Sequence, residues 1–402
     1  MKSVRFSLLV KLGERMLKNR KDIVQLAMGH FFVDFCQGAL AAFLPILINL
    51  HHYNYAVAAT LVFAMNAVSS VAQPLFGYLS DYHETNQIII WGIALAGLGF
   101  GCLGIVNQYW ELVTCVMVCG LGIAAYHPDA AKMVDGLATA KGKSMSIFSF
   151  GGNIGFASGP IILTLLIKAC GIKGTLWLIL LAGGIAVVLT QTMKKFTEIK
   201  VSQQQVKVDQ NQKDDWFHFC ILMVVLFSRS IVFYGFSTFL ALYFIHIFHQ
   251  SSLVGSIALS LLFIFGSLGT LLGGHLADKY GMVKVIRLAF LTLPVMILLF
   301  GMQHSLIVAL ILLIPLGLAI FMPYSPIVVL GQKYLPTKIG ISSSITLGLA
   351  ISVGGIATPI LGNIADYHGL RFIIWILLGV SLIATIAALF LKKIEKNHEI
   401  NC

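Results

Sequence analysis

The stretch Gly274-His-Leu-Ala-Asp278-Lys-Tyr-Gly-Met-Val-Lys284 has a shorter counterpart earlier in the chain, Gly77-Tyr-Leu-Ser-Asp81. Two further pairs follow in the same order, all at an offset of about 197–199 residues. They are Gly120-Leu-Gly-Ile123 with Gly317-Leu-Ala-Ile320, and the run from Ser144 through Gly155 to Pro160 with the run from Ser343 through Gly354 to Pro359. Three matches at one spacing indicate an internal duplication, so we expect two similar halves.

The rest of the chain is strongly apolar. Hydrophobic residues make up 58% of the 402 residues and charged residues 11%, whereas a soluble domain carries about 25% charged residues. Apolar runs of about 20 residues, long enough to cross a bilayer, are centred near residues 36, 67, 98, 122, 156, 182, 230, 263, 293, 318, 352 and 381. Because backbone polar groups in lipid need internal partners, these runs should be helices. The predicted fold is an all-α membrane protein with twelve transmembrane helices in two pseudo-symmetric six-helix bundles.

The net charge of +11 is unevenly distributed. With twelve spans, all but four of the 27 Lys and Arg fall on segments of one membrane side, and seven of them lie within residues 1–21. The four exceptions are Lys168, Lys173, Arg229 and Arg371. This positive-inside pattern predicts cytoplasmic termini and argues against a nucleic-acid partner.

A polar segment from Lys194 to Asp215 interrupts the hydrophobic pattern and is typical of a flexible linker. The predicted organisation has a cytoplasmic N-terminal segment (1–21), an N-terminal six-helix bundle (22–193), a cytoplasmic linker (194–215), a C-terminal six-helix bundle (216–392) and a cytoplasmic tail (393–402).

Ionisable side chains lie inside two of the apolar runs, where each costs about 2.5–3.5 kcal/mol on insertion scales. In the first span, His30 and Asp34 are one helical turn apart and share a face. In the fourth span, Pro128 between His127 and Asp129 cannot donate a backbone hydrogen bond. A carbonyl near Ala124 then needs another partner, which predicts a wet pocket. Because a carboxylate beside a histidine can carry protons, we predict proton coupling by Asp34, His30, His127 and Asp129.

Each of these residues also has a structural interpretation. His30 could bond a backbone carbonyl of a neighbouring helix, and His127 could satisfy the turn that Pro128 breaks. Asp34 could form a permanent ion pair with Arg229, the one Lys or Arg well inside a span. If Arg229 is functional instead, its guanidinium suits the paired oxygens of a phosphonate or carboxylate.

Spans five and eleven are rich in small residues, with Gly151, Gly152, Gly155 and Gly159 in one and Gly354 and Gly355 in the other. Small residues let helices approach closely, and a proline in each span favours a kink. Two interpretations remain open: static packing, and a bending surface for alternating access. The candidate residues for bending are Gly155, Pro160, Gly354 and Pro359.

The stretch from Gly274 to Lys284 resembles the loop motif of the major facilitator superfamily. The resemblance implies that Gly274 permits a helix contact and that Asp278 latches one conformation together with a basic residue such as Lys284. The copy at Gly77 and Asp81 lacks the basic residues. We assign a structural or gating role to both copies.

Within that superfamily, the chain resembles the fosmidomycin-resistance family of bacterial efflux transporters. The resemblance rests on His30, Asp34, Gln37 and Gly38, on Tyr126-His127-Pro128-Asp129, and on the glycine-rich fifth span; Asp129 stands where a glutamate is expected. It implies proton-driven export across a bacterial inner (plasma) membrane, and a cavity lined by spans one, four, seven and ten. Substrate-binding candidates are then Gln37, Tyr126, Arg229, Tyr234 and Tyr324.

The sequence therefore predicts a secondary transporter, most simply a drug/proton antiporter, that uses alternating access. An importer of a small organic anion is the alternative within transport. A non-transporting sensor or a membrane-embedded enzyme is the alternative of another class, although no nucleophile set or appended domain is evident. We expect a monomer whose partners are a small-molecule substrate, protons and the bilayer, with no cofactor. No metal site is expected, because His51-His52 and His246/His249 lack a matching ligand set.

Overall fold

The computed structural model describes residues 2–82, 86–137, 141–193, 213–338, 341–342 and 344–393. Side chains are described from Arg20 onward within these ranges, except at positions 81, 82, 86, 135, 141–143, 192, 193, 344 and 347. The predicted tail beyond residue 393, most of the predicted linker, Ser343 and the side chain of Asp81 lie outside the described residues.

The described chain is helical almost throughout. Its α-helices are α1 (Lys2–His51), α2 (Tyr55–Tyr82), α3 (Asn86–Cys102), α4 (Tyr109–Leu137), α5 (Lys141–Cys170), α6 (Trp177–Met193), α7 (Trp216–His246), α8 (Ser252–Tyr280), α9 (Met282–Gly301), α10 (Leu306–Phe321), α11 (Tyr324–Tyr334), α12 (Ala350–His368) and α13 (Leu370–Leu389). Short 3₁₀ segments at Ile172–Leu176 and Pro336–Lys338 and a π-helical segment at Ser344–Leu349 connect some of them.

These helices match the twelve predicted spans. Among the described residues, ten helices are long and apolar enough to cross a membrane. The apolar stretch Gln87–Cys102 is shorter, and α12 has 19 residues. One span, Leu306–Tyr334, comprises both α10 and α11, which are separated at Pro323 because proline has no backbone N–H to continue the helix.

The chain divides into two compact units. The first contains Met1–Leu47 and Leu61–Gln205, and the second contains Ile48–Thr60 and Val206–Cys402. The sequence boundaries placed residues 48–60 with the N-terminal bundle, whereas the structure groups them with the second unit. The contacts inside that unit explain the grouping, because the backbone N–H groups of Tyr55 and Ala56 donate to the Asp366 carboxylate at 2.7 and 3.0 Å.

The internal duplication reappears in the helix contacts of each unit. A Cβ at Gly155 of α5 would strike the Phe31 carbonyl of α1, and one at Gly354 of α12 would lie 3.0 Å from the Ser230 carbonyl of α7. A second pair behaves in the same way. A Cβ at Gly120 of α4 would strike the Met65 carbonyl of α2, and one at Gly317 of α10 would lie 2.7 Å from the Leu262 carbonyl of α8. Both partners in each pair are displaced by the offset found in the sequence, so the repeat extends to the packing of individual residues.

Candidate functional site

Three predicted proton-coupling residues meet in the first unit. The carboxylate of Asp34 lies between two imidazoles, with Oδ2 at 3.2 Å from His30 Nε2 and Oδ1 at 3.0 Å from His127 Nε2. The side chains of His30, Asp34 and His127 are only 12%, 17% and 24% exposed. We call these three residues the His–Asp–His cluster.

Backbone carbonyls fix the outer nitrogen of each imidazole. His30 Nδ1 lies 2.9 Å from the Phe148 carbonyl of α5, and His127 Nδ1 lies 2.8 Å from the Ile123 carbonyl of α4. Because a carbonyl can only accept, each Nδ1 must carry a proton. The two structural interpretations of these histidines are therefore realised together with their contacts to Asp34, not in place of them.

The proton on each Nδ1 determines what the opposite ring nitrogen, Nε2, can offer to Asp34. With Nδ1 protonated, the Nε2 of a neutral imidazole presents a lone pair to the carboxylate. Each of the two contacts with Asp34 is then a hydrogen bond only if one further proton lies within it. With one proton in each contact the cluster has a net charge of +1, and without either proton its net charge is −1.

Glycines of α5 leave room for the cluster. Gly151, Gly155 and Gly159 lie one turn apart, and a Cβ at each would strike the backbone of α1 at Ala27, Phe31 and Phe35 respectively. Gly152 lies beside this ridge, and its Cβ would lie 2.5 Å from both Asp34 Oδ2 and His30 Nε2. An alanine at position 152 would therefore occupy the space of the carboxylate–imidazole contact.

Aromatic rings complete the surroundings of His30. The Phe148 ring stacks on the His30 imidazole at a centroid distance of 4.1 Å, and the His127 ring meets it edge-on at 5.0 Å. Sequence reasoning missed Phe148 and Ile123, because both bind the imidazoles through backbone carbonyls that any residue supplies. The stacking of the Phe148 ring depends on how α5 packs against α1, which no local pattern marks. Gly152 could have been identified from the sequence. The four-residue spacing of Gly151, Gly155 and Gly159 explains the close-packed ridge, and Gly152 does not fit that spacing.

The fourth predicted proton-coupling residue, Asp129, is buried on α4 but is not part of the cluster. Two residues along a helix turn the side chain to a different face, so His127 and Asp129 do not converge on Asp34. α4 also continues through Pro128, and the carbonyl that His127 satisfies belongs to Ile123, one residue before the predicted Ala124.

Two predicted substrate contacts of the first unit join helices to one another. The Tyr126 side chain is buried, and its hydroxyl donates to the Leu26 carbonyl of α1. Gln37 Nε2 donates to Asn66 Oδ1 of α2 at 3.0 Å. Their predicted roles in substrate binding stay predictions.

Arg229 of α7 is buried within the second unit. Its Nε donates to the Ile320 carbonyl in the last turn of α10 at 2.8 Å, where helix carbonyls lack a helical donor. Its Cζ lies 4.7 Å from the Tyr324 ring centroid and 5.8 Å from those of Phe233 and Phe321. We call Arg229 and these three rings the arginine box. Tyr234, the remaining substrate candidate, packs against Gly354 and also lies close enough to Arg229 for an electrostatic interaction.

The predicted gating residues lie mostly at helix ends. A Cβ at Gly77 would meet only Pro128, at 3.8 Å, and one at Gly274 would meet nothing within 4 Å. The helix contact expected of Gly274 is made by the preceding residue, since a Cβ at Gly273 would strike the Met322 backbone. Asp278 and Lys284 are exposed. Gly281 of the same motif has φ +94° between α8 and α9, a conformation that favours glycine.

The prolines and glycines of the fifth and eleventh spans lie within continuous helices. Pro160 falls inside α5 and Pro359 inside α12. Gly155 and Gly354 make the close contacts with α1 and α7 described above. The geometry realises close packing at these positions, and their predicted bending stays a prediction.

The His–Asp–His cluster is the group of potential metal ligands in the described part of the chain, with one donor atom per residue and all within 4.8 Å of one another. Histidines that bind metals also donate their second N–H to carbonyls, as these do. The distances from Asp34 to the two imidazoles, 3.0 and 3.2 Å, are also those of an ion pair with protonated histidines, so the same geometry can hold two protons.

Comparisons with known proteins agree with this architecture. The chain is 29% identical over 359 residues to YfnC of Bacillus subtilis, an uncharacterised transporter of the major facilitator type, with 87% of both chains covered. It is 23% identical over 356 residues to the fosmidomycin resistance protein of Escherichia coli, again with 87% of both covered. A bacterial homologue of the human lysosomal transporter Spinster, in an inward-facing and occupied conformation, has a TM-score of 0.74 at 14% identity, covering 92% of this chain and 95% of that one.

The family assignment rests on a match of residues 26–359 to the Major Facilitator Superfamily, which spans more than half of the chain. The predicted family and the predicted twelve-helix fold are thereby confirmed, and the protein is a multi-pass membrane transporter rather than an enzyme. This chain belongs to the Major Facilitator Superfamily.

Proposed function

We propose that this transporter couples the export of a small drug-like or anionic compound to proton entry across a bacterial plasma membrane, as a monomer with cytoplasmic termini. The observation that carries the proposal is the His–Asp–His cluster, whose two contacts each require a proton. The similarity to a fosmidomycin resistance protein supports export of a small compound. Import of an organic anion by the same proton chemistry is the alternative.

Proton occupancy is linked to helix packing at this cluster. When the cluster loses its protons, imidazole lone pairs face a carboxylate at 3.0 and 3.2 Å. The 3.0 Å contact joins His127 of α4 to Asp34 of α1, so the contact between these two helices becomes repulsive. Loss of protons therefore favours any arrangement in which His127 moves away from Asp34. A ligand or ion changes a conformational equilibrium only through such differential interaction, so the cluster has the property that coupling requires.

Charge movement supplies the driving force. The cluster changes its net charge by two between its empty and loaded states, and each charge that crosses the membrane releases about 2.3 kcal/mol per 100 mV. Two protons carried per cycle would thus use the membrane potential as well as the pH gradient, and we expect transport to be electrogenic for a monoanionic substrate.

A transport assay in proteoliposomes with an imposed pH gradient tests the proposal. Asp34→Asn removes the negative charge shared by both imidazoles and replaces one acceptor oxygen with an NH₂ donor, so gradient-driven transport of fosmidomycin or another transported compound should fall at least 100-fold, while substrate binding in detergent persists. Asp215→Asn makes the same chemical change at the start of α7 and is the matched control, which should retain gradient-driven transport.

Two results would contradict the proposal. One is an Asp34→Asn variant with the pH dependence of the unmodified protein. The other is transport that ignores the proton gradient but requires an added divalent cation such as Zn²⁺, since the cluster would then act as a metal site.

A further inference from the structure

We infer that the arginine box binds one anionic group, a carboxylate or phosphonate, of a substrate whose body is aromatic or otherwise flat and apolar. This inference rests on the proposed function for the view that a substrate is carried, and it adds the substrate class and the residues that recognise it. All contacts of the arginine box cited below lie within the second unit.

Arg229 is a buried cation on α7. Arg229 is 6% exposed, and within the second unit the described residues give it one hydrogen bond, from Nε to the Ile320 carbonyl, and no carboxylate partner. Both terminal NH₂ groups of the guanidinium are therefore without a hydrogen-bond partner among the described residues of the second unit and can donate to a ligand. A buried arginine needs a compensating negative charge, and aromatic faces stabilise the cation without neutralising it.

The contacts of Arg229 also fix the orientation of its guanidinium. The bond to Ile320 fixes Nε at the end of α10, and the rings of Phe233, Phe321 and Tyr324 surround the guanidinium carbon at 4.7–5.8 Å. With Nε held, the two NH₂ groups form the free edge of a planar fork. A fork of this kind matches the paired oxygens of a carboxylate or phosphonate, and the rings beside it offer an apolar surface to the attached body.

The internal duplication of the chain gives independent support. Adding the repeat offset of about 199 residues to His30 and Asp34 gives Arg229 and Phe233, and adding about 197 to His127 gives Tyr324. The three positions that form the His–Asp–His cluster in the first half are thus the three positions at which Arg229 meets Phe233 and Tyr324 in the second.

The correspondence shows what the second half lacks. In the first half, Asp34 supplies the anion that two imidazoles share. At the equivalent position the second half has Phe233, so this position provides no anion for Arg229. We assign that role to the substrate, which brings the anion when it binds.

Binding in detergent, without any gradient, tests the inference with three probes: phenylphosphonate, benzoate and the neutral benzamide. The unmodified protein should bind phenylphosphonate and benzoate and discriminate against benzamide at least 10-fold. Arg229→Lys keeps the charge but loses the planar fork, and it should weaken binding of both anions at least 10-fold while leaving the thermal unfolding midpoint nearly unchanged.

A second variant avoids the objection that an altered arginine damages the fold. Phe233→Asp restores a carboxylate one turn from Arg229, at the position equivalent to Asp34, where it can pair with the guanidinium. The anionic probes should then lose affinity at least 10-fold although the protein remains folded and monodisperse. Phe233→Leu is the matched control and should retain preference for anions over benzamide.

The outcomes separate this inference from the proposed function. Anion binding that is unchanged in both Arg229→Lys and Phe233→Asp, or no anion binding by the unmodified protein at millimolar concentrations, overturns the inference while Asp34→Asn can still abolish proton coupling. Conversely, lost anion binding in these variants with fully coupled transport in Asp34→Asn supports the inference and overturns the proton role of the cluster.

Discussion

The two halves of this transporter place different chemistry on the same scaffold. At three equivalent positions the first half has His30, Asp34 and His127, whereas the second has Arg229, Phe233 and Tyr324. The glycine contacts that position these residues are shared, since Gly155 packs on Phe31 and Gly354 on Ser230. The duplicated helix packing is retained, whereas one cluster contains its own counter-ion and the other has none among the described residues of its unit.

The most disruptive test of this comparison is Gly152→Ala. A Cβ at position 152 would lie 2.5 Å from Asp34 Oδ2 and from His30 Nε2, so it must separate the two groups. We expect gradient-driven transport to fall at least 100-fold, with anion binding at the arginine box preserved. Gly184→Ala in α6 is the control, because a Cβ there meets nothing within 4 Å. Coupled transport at the normal rate in Gly152→Ala would show that the cluster does not need its present geometry.

A pair of substitutions tests whether the two halves share their packing. Gly155→Ala and Gly354→Ala each place a methyl group against the backbone of a facing helix, and overpacking of this kind costs about 1–3 kcal/mol. Both variants should therefore unfold at lower temperature than the unmodified protein, by similar amounts. Gly379→Ala in α13, with open space around the added atom, should not. A loss confined to one half would break the proposed equivalence.

A smaller effect is expected at Asp215, the N-cap residue of α7. Asp215 accepts hydrogen bonds from the His218 backbone N–H at 3.1 Å and from the His218 ring at 2.8 Å. Burial acts to raise the Asp215 pKa, but these hydrogen bonds and the nearby Lys392 hold the pKa below its ordinary value of 3.8. Loss of an N-cap costs about 0.5–2 kcal/mol, so Asp215→Ala should lower the unfolding midpoint modestly.

The pH dependence of that effect has a definite sign. A carboxyl group whose pKa is lowered by folding stabilises the protein above its unfolded pKa, near 3.8, and this contribution is lost as the pH falls through the folded pKa. The stability difference between the unmodified protein and Asp215→Ala should therefore be present above about pH 4 and shrink below it. A difference that grows as the pH falls below about 4 would contradict this role of Asp215.

Sequence reasoning reached the fold and half of the cluster for identifiable reasons. The twelve spans follow from apolar length, and the pairing of His30 with Asp34 follows from helical periodicity. The depth of His127 in its span was also predictable. Its meeting with Asp34 depends on how α4 packs against α1, which a single sequence does not encode in any local pattern.

The remaining features depend on backbone atoms or on distant contacts. The carbonyls of Phe148, Ile123 and Ile320 act independently of side-chain identity, so no residue type marks them. Asp129 was grouped with His127 by proximity in sequence, although two residues along a helix turn the side chain away. The counterpart relation between His30 and Arg229 was present in the repeat offset, and it becomes meaningful only when both residues are found at equivalent contacts.

The most direct measurement of the central claim is the protonation of the two imidazoles. Nitrogen-15 NMR of histidine-labelled protein in lipid, assigned by difference spectra against His30→Gln and His127→Gln, reports which ring nitrogens carry protons. The account predicts that in the unmodified protein at neutral pH each Nδ1 is protonated and that two further protons are shared between the two Nε2 atoms and Asp34. It also predicts that Asp34→Asn leaves both Nδ1 atoms protonated and lowers the number of further protons by at least one, because the amide NH₂ can donate to one of the two Nε2 atoms. Neutral rings protonated on Nε2 in the unmodified protein, with bare Nδ1 atoms, would contradict it.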